Sequence, residues 1–277
     1  MKARDTKQRT ALRICCLVFW VALQAFGADD AVGPIRKLFD PPGKPVGDYN
    51  QQVRAIHAND RLVFNNGKTF TVVRKLGAGM ATHVFEVTDD ETHQTFALRL
   101  PFNENKGYLD LARSYLSTYK ELVPLHLPLV KVYPELSFAP EYDLAELTPV
   151  QFTLEDVYLH PEKLKGIDPG NALAALPDFA KKFSGISELR DLHPGQLGWT
   201  TNNEWRLMDW GNYVKPLSRT EKGNPFAKFF TKYREYMQNL AHHPDRLIKV
   251  VKLEQDLINA VNDQRKVACD LPLAAVR

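Results

Sequence analysis

The feature that most constrains this chain is a change of hydrophobic period near Thr148-Pro149. Before it, short β-branched and aromatic runs dominate. Thr69 to Arg74, Val84 to Val87 and Thr95 to Leu100 each read as a strand, and Thr88-Asp89-Asp90-Glu91-Thr92 is the polar turn between the last two. Residues 107–122 break this texture. Leu109, Leu111, Ala112, Tyr115, Leu116, Tyr119 and Leu122 recur at helical spacing. Val130 to Val132 and Asp143 to Leu147 return to strand character. After Thr148-Pro149 the pattern is mainly helical. A helix is expected over 171–187, interrupted by Pro177 and Gly185, and two amphipathic helices over 224–241 and 245–264. Between them, Leu197 to Thr200 and Trp205 to Met208 flank Thr201-Asn202-Asn203-Glu204, a hairpin signal. Strands with one inserted helix, followed by helices with one hairpin, predict a two-lobed α+β arrangement.

The N-terminus stands apart. Lys2, Arg4, Lys7, Arg9 and Arg13 oppose a single Asp5, so the +3 of the whole chain leaves the remainder close to neutral. The apolar run Ile14 to Leu23 follows, then Ala25-Phe26-Gly27, with small residues three and one before a cut ahead of Ala28. That is the pattern of a secretory signal. The run is shorter than the roughly 20 residues of a membrane span. The expectation is an exported protein, periplasmic, lumenal or secreted, without a stable span after cleavage. The alternative is tethering by an uncleaved signal anchor. Residues 28–60, with Asp40-Pro41-Pro42-Gly43-Lys44-Pro45, read as a linker or N-terminal extension. With no concentrated basic face outside the first residues, nucleic acid is not an expected partner. Cys15 and Cys16 lie in the signal, which leaves Cys269 alone and excludes an intramolecular disulfide or a cysteine zinc site in the mature chain.

Four islands carry chemistry. Leu76-Gly77-Ala78-Gly79-Met80-Ala81-Thr82 lies between two expected strands, where Gly77 and Gly79 let backbone N–H groups approach phosphate oxygens. Phe96-Ala97-Leu98-Arg99-Leu100 places the cation of Arg99 on one face of the third strand. Leu189-Arg190-Asp191-Leu192-His193-Pro194-Gly195-Gln196 and Arg206-Leu207-Met208-Asp209-Trp210-Gly211 set two carboxylates on either side of the hairpin. Hairpin closure draws Asp191 and Asp209 together, so that one can accept a hydroxyl proton while the other holds a metal. Each island also has an ordinary reading: a β-turn, a surface arginine, two loop aspartates. His193 reads as structural, and His242 and His243 as solvent-facing. Ala139-Pro140-Glu141 reads as a chance string.

In this order the islands resemble the protein-kinase superfamily, including its minimal, divergent and aminoglycoside-phosphotransferase-like members, over about residues 68 to 215. The resemblance implies a kinase-like fold. A small antiparallel-sheet N-lobe with one helix would span 61–147, and a short, mainly helical C-lobe 148–277. It implies ATP and Mg²⁺ as ligands. Gly77 and Gly79 would lie over the phosphates, and Arg99 stands at the strand lysine. Asp191 stands at the catalytic aspartate, Gln196 at the metal-binding asparagine, and Asp209-Trp210-Gly211 at the D-F-G motif. Glu121, with Asp110 as a lesser candidate, is the helix acid that would pair with Arg99. The departures are Arg99 for lysine, Gln196 for asparagine and Leu189 for the first histidine of H-R-D. No Ala-Pro-Glu anchor follows Gly211 either. Besides an unrelated exported α+β domain whose motifs match by chance, two readings stay open. One is a phosphotransferase acting on a hydroxyl of a protein or small-molecule acceptor. The other is a pseudokinase that binds nucleotide or protein partners as a scaffold.

Overall fold

The computed structural model describes residues 33–78, 82–102, 107–210, 214–218 and 223–270. The expected signal segment 1–27, Gly79 and Gly211 lie outside the described residues, as does the side chain of Cys269. The chain is a mixed α+β protein. A six-stranded sheet runs in order β1 (Ile35–Lys37), β2 (Arg61–Val63), β3 (Thr69–Ala78), β4 (Thr82–Asp89), β5 (Thr95–Pro101) and β6 (Asp143–Ala145). Only β1 and β2 pair in parallel; every other neighbour is antiparallel.

Period-2 alternation decides what each face of this sheet does. In β4, Phe85 and Val87 point into a buried cluster with Phe70, Val72, Leu98 and Leu100. The central strand β5 is buried on both faces. Phe96, Leu98 and Leu100 join that cluster, and Ala97 joins a second one on the other side. Arg99, in phase with Ala97, therefore faces away from the sheet's own core. Register places Asp143 of β6 directly opposite Arg99, and Ala145 opposite Ala97.

Residues 28–60 do not form a detached linker once the described part begins. Leu38 and Phe39, Tyr49 and Val53 of α1 (Tyr49–Arg54), and Ile56 are all buried in the sheet's cluster. The proline-rich turn is held by Glu141, which is fully buried and accepts from the backbone N–H of Gly43 at 2.8 Å and of Asn65 at 3.1 Å. Ala139-Pro140-Glu141, expected as chance, is thus a structural clamp.

Helix α2 (Gly107–Leu122) matches its expected bounds. The second half comprises β7 (Val150–Thr153), α3 (Leu154–Tyr158), α4 (Gly170–Lys181), β8 (Ile186–Leu189), β9 (Leu197–Thr200), β10 (Trp205–Leu207), β11 (Val214–Pro216), α5 (Arg234–Ala241) and α6 (Pro244–Asp270). The expected hairpin is present, with Trp199 opposite Trp205, and β7 adds a third strand. Val130 to Val132, expected as a strand, makes isolated bridges only. Helix α4 runs through Pro177 but stops at Lys181, because Ile186 to Leu189 pair with β11. The helix expected over 224–241 forms only from Arg234. Phe226, Phe229 and Phe230 have helical spacing and are buried, yet Lys228 has φ +62°. The N–H groups of Phe230 and Thr231 bond to the Glu254 carboxylate on α6 instead of to helix carbonyls. Among the described residues, no helix is long and apolar enough to cross a membrane.

Candidate functional site

A cavity of about 680 Å³ opens where β3, β4 and β5 meet the segment 145–150 and the end of the hairpin. Its walls are largely apolar, from Leu76, Val84, Ala97, Val130 and Met208, with charged groups from Arg74, Arg99, Glu146 and Asp209. Gly77 lines it from within β3, where it pairs with Val84; it is a strand residue and not part of a turn. A Cβ on Gly77 would meet nothing within 4 Å.

Arg99 is 9% exposed and held by three groups. Its Nε lies 3.6 Å from Asp143 Oδ1, its Nη2 donates to Asp209 Oδ1 at 3.4 Å, and its Cζ sits 3.5 Å from the Tyr115 ring centroid. Tyr115 in turn stacks on Trp210 at 4.5 Å and 6°, and Tyr119 covers Trp210 at 5.4 Å. Guanidinium, phenol and indole thus form one column that ties β5 to α2 and to the residue after Asp209. Such a buried cation over an aromatic face gains both dispersion and quadrupole attraction.

The column corrects the expected helix acid. Glu121 is exposed, and Asp110 pairs on the surface with Arg113 at 3.1 Å. Tyr115, Thr118, Tyr119 and Leu122 of α2 are buried, and at 100° per residue Glu121 lies about 200° round from Tyr119. The acid partner of Arg99 comes from the sheet, as Asp143. This residue was not singled out in the sequence. Its one signal was a charge opening the otherwise apolar strand Asp143 to Leu147. Asp143 is 3% exposed, and its Oδ1 accepts no hydrogen bond. Burial pushes its carboxyl up to about 6 against the pull of Arg99, with Asp209 adding to the rise. That direction follows from the geometry. The ion pair is long and not hydrogen-bonded, so it does not repay the desolvation of the carboxylate. Arg99 itself is held above its ordinary value: burial opposes its charge, but Tyr115, Asp143 and Asp209 outweigh it.

Asp191 and Gln196, given catalytic and metal-binding positions by the resemblance, lie in contact. Asp191 follows β8 with φ +67°, a left-handed conformation that aspartate tolerates. Leu189, at the position expected of a histidine, is buried in the core. Gln196 closes a 3₁₀ turn, Pro194–Gln196, and is 6% exposed. Its Nε2 donates to Asp191 Oδ2 at 3.2 Å, and its Oε1 is buried without a hydrogen-bond partner. The reverse amide orientation would set an oxygen against a carboxylate, so the donor faces Asp191. A backbone bond from Met208 N to Gln196 O, 2.8 Å, links this turn to the residue before Asp209. Asp209 is half-exposed, and its Oδ1 also accepts from Trp210 N at 2.9 Å.

His193 is structural, as the sequence suggested. Its Nδ1 accepts from Gly195 N at 3.2 Å and caps the turn that carries Gln196, while burial lowers its tendency to protonate. Tyr236 meets His193 Nδ1 at 3.0 Å and donates to Glu155 Oε2 at 2.7 Å. His242 and His243 are exposed, as expected.

Among these residues three buried atoms lack hydrogen-bond partners: Arg99 Nη1, a donor, and Asp143 Oδ1 and Gln196 Oε1, acceptors. Unpaired buried polar atoms cost about 1–3 kcal/mol each. An anion beside Arg99 would satisfy Nη1, and a hard cation would satisfy Gln196 Oε1. Among the described residues no cluster of three or more His, Cys, Asp or Glu could hold a metal alone. The donors are instead one carboxylate and one amide oxygen, the sparse oxygen set with which Mg²⁺ is held when phosphates supply the rest. Compared with protein-family models and with curated proteins, the sequence matches none.

Proposed function

We propose that this chain is a two-lobed, protein-kinase-like phosphotransferase that moves the γ-phosphoryl group of ATP to a hydroxyl acceptor. The observation that carries the reading is the contact of Arg99 with Asp209 in the cavity wall, beside Met208, whose backbone bonds to the Gln196 that donates to Asp191. The two separate buried clusters, one within the six-stranded sheet and one beneath it, support a small lobe and a larger helical lobe. In this reading the base lies against Leu76, Val84 and Met208, and the backbone of Gly77, with Gly79, covers the phosphates. Arg99 Nη1 grips a phosphate oxygen. Gln196 Oε1 and Asp209 hold Mg²⁺, which when bound supplies neutralisation of the charge that develops on the transferring group. Asp191 orients the acceptor hydroxyl and takes its proton. The basic, apolar and small-residue pattern of residues 1–27 supports export, to act in another cell or in a lumen supplied with ATP.

One observation favours a nucleotide-binding scaffold as the second reading. Arg99 and Asp209, which would clamp phosphate and metal, already hold each other at 3.4 Å. The experiment is thermal stability with and without Mg²⁺-ATP, beside an Asp209→Ala variant, followed by ADP release from an Asp191→Asn variant. A ligand that binds only the folded state raises the melting temperature. A Mg²⁺-dependent rise lost in Asp209→Ala, with ADP release lost in Asp191→Asn, supports the phosphotransferase. The rise without Asp191-dependent turnover leaves the scaffold. No rise at millimolar ATP removes both.

A further inference from the structure

Three groups meet the Arg99 guanidinium, and they do not hold it equally. The two carboxylates are distant: Asp143 Oδ1 is 3.6 Å from Nε, and Asp209 Oδ1 is 3.4 Å from Nη2. Tyr115 is close, with Arg99 Cζ over its ring at 3.5 Å from the centroid. Polar contacts of that length orient a guanidinium weakly, whereas a ring against its face sets the plane in which it lies. The ring is held in turn. Tyr115 is buried, Trp210 stacks on it at 4.5 Å and 6°, and Trp210 Nε1 donates to Tyr115 O at 3.4 Å. Tyr115, Arg99 and Asp209 all line the cavity. A contact on the face also spares the N–H groups. An acid in place of Tyr115 would take donors from Arg99 and neutralise its charge; the ring does neither. Nη1 has no hydrogen-bond partner.

From this geometry we infer that Tyr115 is the positioning residue for Arg99: it holds the guanidinium by its face, keeps the charge and the Nη1 donors available to a phosphate, and makes the site specific for arginine at position 99. The inference rests on the proposed nucleotide reading of the cavity. A lysine carries its charge on a compact ammonium with no plane to lay on the ring. At position 99 it would close on Asp143 or Asp209. Loss of the ring does the same to arginine, which then pairs with the two carboxylates and withdraws from the phosphate. Arginine in place of lysine is thus matched to Tyr115 and is no defect of the site.

The test compares two probes, Mg²⁺-ATP and adenosine, by calorimetric titration of the full chain. Adenosine has the base and sugar without phosphate, so it reads the rest of the cavity. Tyr115→Leu is expected to weaken Mg²⁺-ATP about tenfold, the scale of a desolvated cation–ring contact, and to leave adenosine unchanged. Tyr115→Phe, which returns the ring face, should recover the affinity lost in Tyr115→Leu. Arg99→Lys should weaken Mg²⁺-ATP by a similar factor, again with adenosine unchanged. A merely structural tyrosine moves both probes together, so equal losses for Mg²⁺-ATP and adenosine overturn the inference. So does Tyr115→Leu with wild-type affinity for Mg²⁺-ATP, or Arg99→Lys with an affinity at or above that of wild type. The Arg99→Lys comparison decides even where Tyr115→Leu does not fold, and the recovery in Tyr115→Phe decides where adenosine binds too weakly to read. Wild type that binds Mg²⁺-ATP, with no loss in any variant, overturns the role of Tyr115 and leaves the nucleotide site standing. Wild type that binds neither probe overturns the nucleotide reading and this inference with it.

Discussion

Replacing Asp143 by asparagine should change how the stability of this protein depends on pH, by an amount the buried pair sets. Asp143 lies opposite Arg99 in the sheet, with its Oδ1 3.6 Å from Arg99 Nε and accepting no hydrogen bond. Burial raises the carboxyl from its ordinary 3.8 to about 6. Between those values the native state binds the proton and the unfolded chain releases it. Stability from this group is therefore greatest at the acid end and falls as pH climbs through the window. The gap corresponds to about 3 kcal/mol. Urea unfolding from pH 4 to pH 8, with wild type and Asp143→Asn measured in parallel, isolates it, since other titrating groups are shared. The wild type should lose about 3 kcal/mol relative to the variant between pH 4 and pH 7, with most of the change below pH 6.5. A difference independent of pH would refute the reasoning. The opposite slope would mean that Asp143 is tightly charge-paired with Arg99, which the long contact argues against.

Two further outcomes follow from particular contacts. Gly77→Ala should change stability by less than about 0.5 kcal/mol, because its Cβ enters open space; under the phosphate-binding reading the same variant should weaken the Mg²⁺-ATP thermal shift, and an unaltered shift would exclude Gly77 from that role. Glu141→Gln should cost about 2–3 kcal/mol in urea unfolding, because a buried carboxylate that accepts from Gly43 N, Asn65 N and Asn65 Nδ2 would be replaced by a group with one fewer acceptor and two donors; a cost near zero would mean that the turn 40–45 does not depend on this clamp.

Much of the architecture was legible in local pattern. The strand character of 84–87 and 95–100, the helix 107–122 and the polar turn inside 197–208 are short-range signals, set by which face of each element must be dry. Strand alternation sufficed to put Arg99 on a face. Where local pattern misled, a distant group had overruled it. Phe226, Phe229 and Phe230 have helical spacing, but Glu254 on α6 takes the N–H groups a helix would have used. Residues 34–56 have the proline and glycine of a linker, yet Leu38, Phe39, Tyr49 and Val53 complete a core whose other half comes from β2 to β6.

The identity of the partners of Arg99 and Asp191 belongs to the tertiary structure alone. A sequence shows which side chains can carry charge; it does not show which of them converge after strands pair and helices rotate. Glu121 was the natural acid on α2, but the rotation that buries Tyr115 and Tyr119 turns Glu121 outward. Strand register brings Asp143 to Arg99 across 44 residues, and helix packing brings Tyr233 to Asp191 across 42. The sequence by itself determined the strands about 84–87 and 95–100, the helix 107–122, the hairpin within 197–208 and the face of Arg99, because these depend on periods of two to four residues. Only the fold decided what meets those groups, because long-range pairing is chosen by the summed burial of two cores and not by any local preference.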